Sequence, residues 1–197
     1  LNDEVGKNWG NNGNIMAMRT LLNEDTGAQQ CIVPVTAYGN LDNPITPLLA
    51  EQAPFPIGME LRQLLTLAIT KNPERGYFKY NAATDNAELY FDSAQMEISR
   101  QAMTHFVDQL NAVNGGVLDK TWYFGGKGLA DDFTYHPLGG AVLGLASDEY
   151  GRLKGHQNLY CLDGSMMPGF SCCANPALTI AGLAERAMEK ILEEDFV

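Results

Sequence analysis

The most constrained stretch of this chain is Tyr135-His136-Pro137-Leu138-Gly139-Gly140. Pro137 fixes φ directly behind the histidine, and after one leucine two glycines follow, so the backbone is stiff on one side and bare on the other. A second constrained point, Asn175-Pro176, opens an apolar helical pattern, with Asn175 expected as its cap and Pro176 as its first residue. Between them, Asn158-Leu159-Tyr160-Cys161-Leu162 reads as a short strand that delivers Asp163 to an Asp163-Gly164 turn. A histidine ring, an acid at a turn and an amide at a helix N-terminus form a site suited to a large polar cofactor.

Composition narrows the partners. The 197 residues carry 13 basic and 24 acidic side chains, a formal charge of −11. Such a balance disfavours a nucleic-acid or anionic-membrane surface. No apolar run approaches the roughly 20 residues that span a bilayer. The length allows one domain or two small ones. Because the chain begins at Leu1, a fragment or processed piece is expected. The cysteines Cys31, Cys161, Cys172 and Cys173 lack C-x-x-C spacing, and two are adjacent. They suit neither a zinc site nor an ordinary disulfide framework, and buried thiols are expected.

Local patterns suggest an antiparallel sheet with helices. Residues 2–14 are rich in Asn and Gly and read as a tight loop with left-handed positions. Cys31 to Tyr38 reads as a strand with Pro34 at an edge or bulge. The length of Met59 to Thr70 permits a helix or a long strand, and the aromatic runs Tyr77–Tyr80 and Glu88–Phe91 that follow, with a turn at Thr84-Asp85-Asn86, favour a strand in an antiparallel meander. Asp92 to Val113 has a helical stripe of Met96, Met103, Phe106, Leu110 and Val113, with Asp92 and Gln95 placed as a capping box and Gly115-Gly116 as the stop. His105 is read as a surface or packing residue and His156 as solvated. The terminal pattern places Leu178, Ala181, Leu183, Ala184, Met188, Ile191 and Leu192 on one apolar side.

Glu51 lies in Pro47-Leu48-Leu49-Ala50-Glu51-Gln52-Ala53-Pro54. In a strand it shares a face with Leu49 and Ala53 only. Two readings stay open. On a buried face, desolvation would raise its pKa and suit it to carrying protons; at an edge it would point to solvent.

Taken together, the motifs Tyr135–Gly140, Asp148-Glu149-Tyr150-Gly151-Arg152, Asn158 to Gly169 and Asn175 to Arg186 closely resemble the C-terminal part of the glucose–methanol–choline (GMC) oxidoreductases. Within that family the chain is most similar to the cholesterol-type steroid oxidases that hold FAD without a covalent bond. The likeness reaches upstream through Asn81–Asp85, Ala68–Pro73, Ala50–Pro54 and Gly13–Met16. Ala141 stands where a cysteine is common in those oxidases, and Ser171-Cys172-Cys173-Ala174 replaces other small residues.

The resemblance implies a fold, an activity and roles. The expected fold is α+β: an antiparallel substrate-domain sheet with helices packed on it, plus a C-terminal strand and helix completing an FAD-binding domain that is otherwise absent. Residues 1–131 would belong to the substrate-binding domain and 132–197 to the FAD-binding one. No G-x-G-x-x-G fingerprint is present, so the phosphate cradle is expected on a missing N-terminal part of the protein. His136 would hydrogen-bond the substrate hydroxyl and help remove its proton. Asn175 would position substrate beside the flavin, and Glu51 would isomerise the Δ5-3-ketone to the Δ4-enone. Asp163, Gly164, Asn175 and Pro176 would line FAD. The implied partners are a steroid or other bulky apolar alcohol and molecular oxygen. A relative oxidising another bulky alcohol, a dehydrogenase using a different acceptor, and an FAD-free inactive domain are the alternatives.

Overall fold

The computed structural model describes residues 1–23, 37–52, 62–120 and 126–196. In chain order its elements are β1 (Asn14–Leu21), β2 (Ala37–Asn40), β3 (Leu48–Gln52), β4 (Gln63–Thr70), β5 (Tyr77–Asn81), β6 (Asn86–Tyr90), α1 (Glu97–Asn114), β7 (Gly116–Leu118), β8 (Leu129–Ala130) and α2 (Ala177–Glu194). This is an α+β fold with antiparallel pairing throughout the named strands. The chain divides into two compact units, interleaved in sequence. One comprises Leu1–Asn12, Pro73–Gln95 and Tyr135–Val197; the other comprises Gly13–Asn72 and Met96–Thr134.

The second unit holds a six-stranded sheet in the order β2-β3-β4-β1-β7, with β8 also paired to β1. Both faces of the sheet are apolar at its centre. Ile15, Ala17, Leu48, Ala50 and Ala68 point to one face and pack against Ala102, Met103, Phe106 and Val107 of α1. Met16, Leu67 and Ala130 point to the other and gather Leu65 and Phe133. Burial on both faces explains why β1 shows no polar–apolar alternation in the sequence and is unmarked there. A buried polar cluster joins strand to helix: Thr70 Oγ1 lies 2.6 Å from Ser99 Oγ, which accepts from Asn72 Nδ2 at 3.0 Å.

The capping box forms, one turn early. The Asp92 N–H donates to Gln95 Oε1 at 2.9 Å and Ala94 N–H donates to Asp92 Oδ1 at 2.8 Å. These bonds cap a 3₁₀ turn, Ser93–Met96, and the α-helix proper begins at Glu97. Gly115 stops it at φ 66°, its N–H bonded to Asn111 O. Met96, Met103 and Phe106 are buried, but Val113, expected on the same stripe, is 88% exposed because it stands in the last turn, beyond the buried stripe.

The first unit holds the hairpin β5–β6 and α2. The expected meander is not continuous. β4 pairs with β1 and β3, while β5 and β6 form a separate two-stranded sheet. Its turn lies at Ala82–Asp85, with Asp85 at φ 49°. The stretch through Tyr160 makes an isolated bridge with Arg152 rather than a strand, since Asn158 at φ 58° interrupts extended backbone. No helix of the described residues is long and apolar enough to cross a membrane. The expectation for Cys31 to Thr36, including Pro34, and those for Ala53, Pro54 and Met59 lie outside the described residues.

Candidate active site

The Tyr135–Gly140 motif is built into the first unit by backbone. Leu138 is fully buried and exchanges both main-chain hydrogen bonds with Gly10, at 2.9 and 3.0 Å. Gly139 has φ +85°, and a Cβ there would lie 1.9 Å from Asn8 O, so no other residue fits. From Gly139 onward the chain zips onto the Asp163 turn: Gly139 N–H donates to Gly164 O at 3.1 Å and Ala141 N–H to Ser165 O at 3.0 Å. Asp163 caps a 3₁₀ turn at Gly164–Met166 by accepting from Ser165 N–H at 2.8 Å. Hydrogen bonds from Ser165, first its hydroxyl and then its backbone N–H, hold the Asp163 carboxyl below its ordinary value.

His136 is half-buried, and its partner is a residue the sequence reading passed over. Asn12, fully buried at φ 59°, has its amide orientation set by backbone groups. Its Oδ1 accepts from Ser171 N–H at 2.7 Å and from Ser171 Oγ at 2.9 Å, and its Nδ2 donates to Ala174 O at 3.2 Å. That same Nδ2 lies 3.3 Å from His136 Nδ1. An amide NH₂ can only donate, so Nδ1 accepts and the neutral ring carries its hydrogen on Nε2. The one available signal was the Asn/Gly-rich run, read as a loop of left-handed positions; nothing in it singled out Asn12.

Four of the six residues expected at the site meet in one cavity of about 500 Å³. His136, Asp163, Gly164 and Pro176 line it, with Trp9 and Phe78 as aromatic walls. Gly164 is packed tightly by the protein itself, since a Cβ there would come within 2.9 Å of Pro137 O and 3.1 Å of Leu138 Cδ2. Asn175 is exposed and directly precedes Pro176. It is not the helix cap as expected. Pro176 already has near-helical dihedrals of −84° and −10°, accepts from Ile180 N–H at 2.8 Å, and takes the capping position with no side-chain bond.

Glu51 belongs to the second unit. It is half-buried on β3, directly opposite Leu67, which in turn stands opposite Met16. Opposed residues share a face, so the Glu51 side of the sheet is the one away from α1, and its cross-strand neighbours are apolar. The cysteines among the described residues are less buried than expected: Cys161 and Cys173 are half-buried and Cys172 is exposed. The left-handed φ of 52° at Cys172 belongs to a surface turn rather than to packed structure.

The family model described as "GMC oxidoreductase, C-terminal" matches residues 12–125, more than half of the chain. The chain belongs to the GMC oxidoreductases. A cholesterol oxidase from Acinetobacter baumannii is 42% identical over 64 residues, covering 30% of this chain and 11% of that relative. The chain thus aligns with a small part of the relative's length. The match to the GMC model includes Asn12 and Glu51 and ends before His136, Asp163 and α2.

The first-unit cavity fits part of a flavin and not the whole dinucleotide. Its chemistry is appropriate: aromatic walls at Trp9 and Phe78, and the start of α2, where a helix carries partial positive charge. The glycine-rich phosphate cradle is not encoded in these residues.

Proposed function

We propose that this chain is the C-terminal portion of an FAD-dependent 3β-hydroxysteroid oxidase of the cholesterol type. The observation that carries this reading is the convergence of His136, Asp163, Gly164 and Pro176 on one cavity. When bound, FAD supplies the acceptor for hydride from the carbinol carbon and passes the electrons to molecular oxygen. His136 donates its Nε2–H to the hydroxyl oxygen, in the tautomer Asn12 sets, and so stabilises the alkoxide as the hydroxyl proton leaves to water. Asn175 orients substrate at the start of α2. Glu51 takes a proton from C4 of the Δ5-3-ketone and returns it to C6, a task suited to a carboxylate with apolar neighbours.

Residues 1–131 then serve the substrate-binding domain and 132–197 the FAD-binding domain, completed by an N-terminal part that carries the phosphate cradle. The apolar side of α2 supports this. Leu178 is 86% exposed and Leu192 57%, a surface that suits burial against that further part.

The test is a visible spectrum and a cholesterol-turnover assay on the intact protein, with His136→Ala and Glu51→Gln beside it. The expected protein is yellow. His136→Ala loses oxidation by about 100-fold or more, and Glu51→Gln accumulates the unconjugated 3-ketone. A yellow protein inert towards sterols but active on another bulky alcohol would refute the steroid assignment. A colourless one would refute the flavin assignment.

A further inference from the structure

The sheet unit contains a second cavity, of about 410 Å³, between the C-terminal half of α1 and the sheet end that carries Arg19 and Gln52. It lies on the α1 face: Gln52 stands opposite Thr66, and Thr66 opposite Ala17, which packs under α1. Tyr38, Phe106 and Leu110 give it an apolar wall. Arg19 is 4% exposed and Asn40 7%.

Buried polar atoms in folded proteins are almost always hydrogen-bonded. Among the described residues three buried side-chain atoms have no partner: Arg19 Nε, Asn40 Oδ1 and Gln52 Nε2. All three residues line this one cavity. Among the described residues Arg19 reaches only amide oxygens, with Nη1 donating to Asn111 Oδ1 at 3.2 Å and to Asn114 Oδ1 at 3.4 Å. No carboxylate pairs with it among the salt bridges of the described residues, and burial pushes its pKa below the ordinary guanidinium value. Glu51 also borders the cavity, although strand alternation assigns its side chain to the opposite face.

We propose that this cavity is a binding site for a small carboxylate with an apolar tail, distinct from the His136 cavity. Two unpaired donors, Arg19 Nε and Gln52 Nε2, recognise the carboxylate, while Tyr38, Phe106 and Leu110 receive the tail. The site stands independently of the oxidase reading, since none of these residues belongs to the His136 cavity.

The probe is octanoate, titrated calorimetrically into the whole chain beside octanol, which lacks the charge, and acetate, which lacks the tail. Octanoate is expected to bind at least about ten-fold more tightly than either, because hydrogen bonds to charged groups contribute most. Gln52→Leu weakens octanoate by about ten-fold, and Arg19→Met reverses the preference towards octanol. Should Arg19→Met fail to fold, Gln52→Leu carries the test alone. Equal binding of octanol and octanoate, binding by neither, or octanoate affinity unchanged in Gln52→Leu each overturns the proposal.

Discussion

The amide of Asn12 connects two tasks that are usually separate. It satisfies backbone and side-chain groups of Ser171 and Ala174, and it fixes the hydrogen of His136 on Nε2. Removing it leaves half-buried groups of Ser171 without their acceptor, so Asn12→Ala should destabilise the protein by about 1 kcal/mol, measured by denaturant unfolding. Asn12→Asp tests the positioning role separately. A carboxylate beside Nδ1 favours the imidazolium, so the acidic limb of the kcat/KM profile should move to higher pH. An unchanged limb in Asn12→Asp would show that position 12 does not face Nδ1 of a catalytically required His136.

At the scale of elements, the end of α2 is held by a cluster of charged and polar side chains. Arg152 grips Asp195 through Nε at 2.8 Å and Nη2 at 3.0 Å, and Tyr160 donates to the same carboxylate at 2.7 Å. The Arg152 hydrogen bond first, and that from Tyr160 second, hold the Asp195 carboxyl below its ordinary value, and Asp195 raises Arg152 in return. A carboxyl depressed in the folded state stabilises above its unfolded pKa, and that contribution fades as pH falls through the folded value. The last turn of α2 should therefore lose hydrogen-exchange protection in acid, below about pH 4. Asp195→Asn should lower protection at neutral pH and abolish this acid dependence. Because the group is exposed, the effect should stay local.

For the molecule as a whole, interleaving means that neither unit is a continuous segment. Residues 73–95 and 135–197 share a unit although the sheet residues 96–134 separate them in sequence. The exposed leucines of α2 offer a test of the proposed completion by an N-terminal part. In the intact protein, Leu178→Glu together with Leu192→Glu should lower the flavin content of the purified enzyme, read by visible absorbance, while leaving the far-ultraviolet helix signal of α2 unchanged. Unaltered flavin content would show that these leucines remain at a solvent surface.

Several features follow from local chemistry alone and were legible in the chain. The α1 stripe, the Asp92–Gln95 box, the Gly115 stop, the β5–β6 hairpin and the Asp163-Gly164 turn each depend on residues within a few positions of one another. The motifs also marked the family, because their order and spacing are properties of sequence. What only the tertiary structure decided involves partners distant in the chain. β1 is hidden because both its faces are buried, and β4 leaves the hairpin because β1 and β3 compete for its edges. Val113 and the leucines of α2 have the right periodicity for burial, but periodicity names a side of a helix and not what covers it. His136 and Asn12 lie 124 positions apart, and no local rule joins them. The backbone bonds that orient the Asn12 amide select the tautomer of His136, and those bonds exist only once the chain has folded.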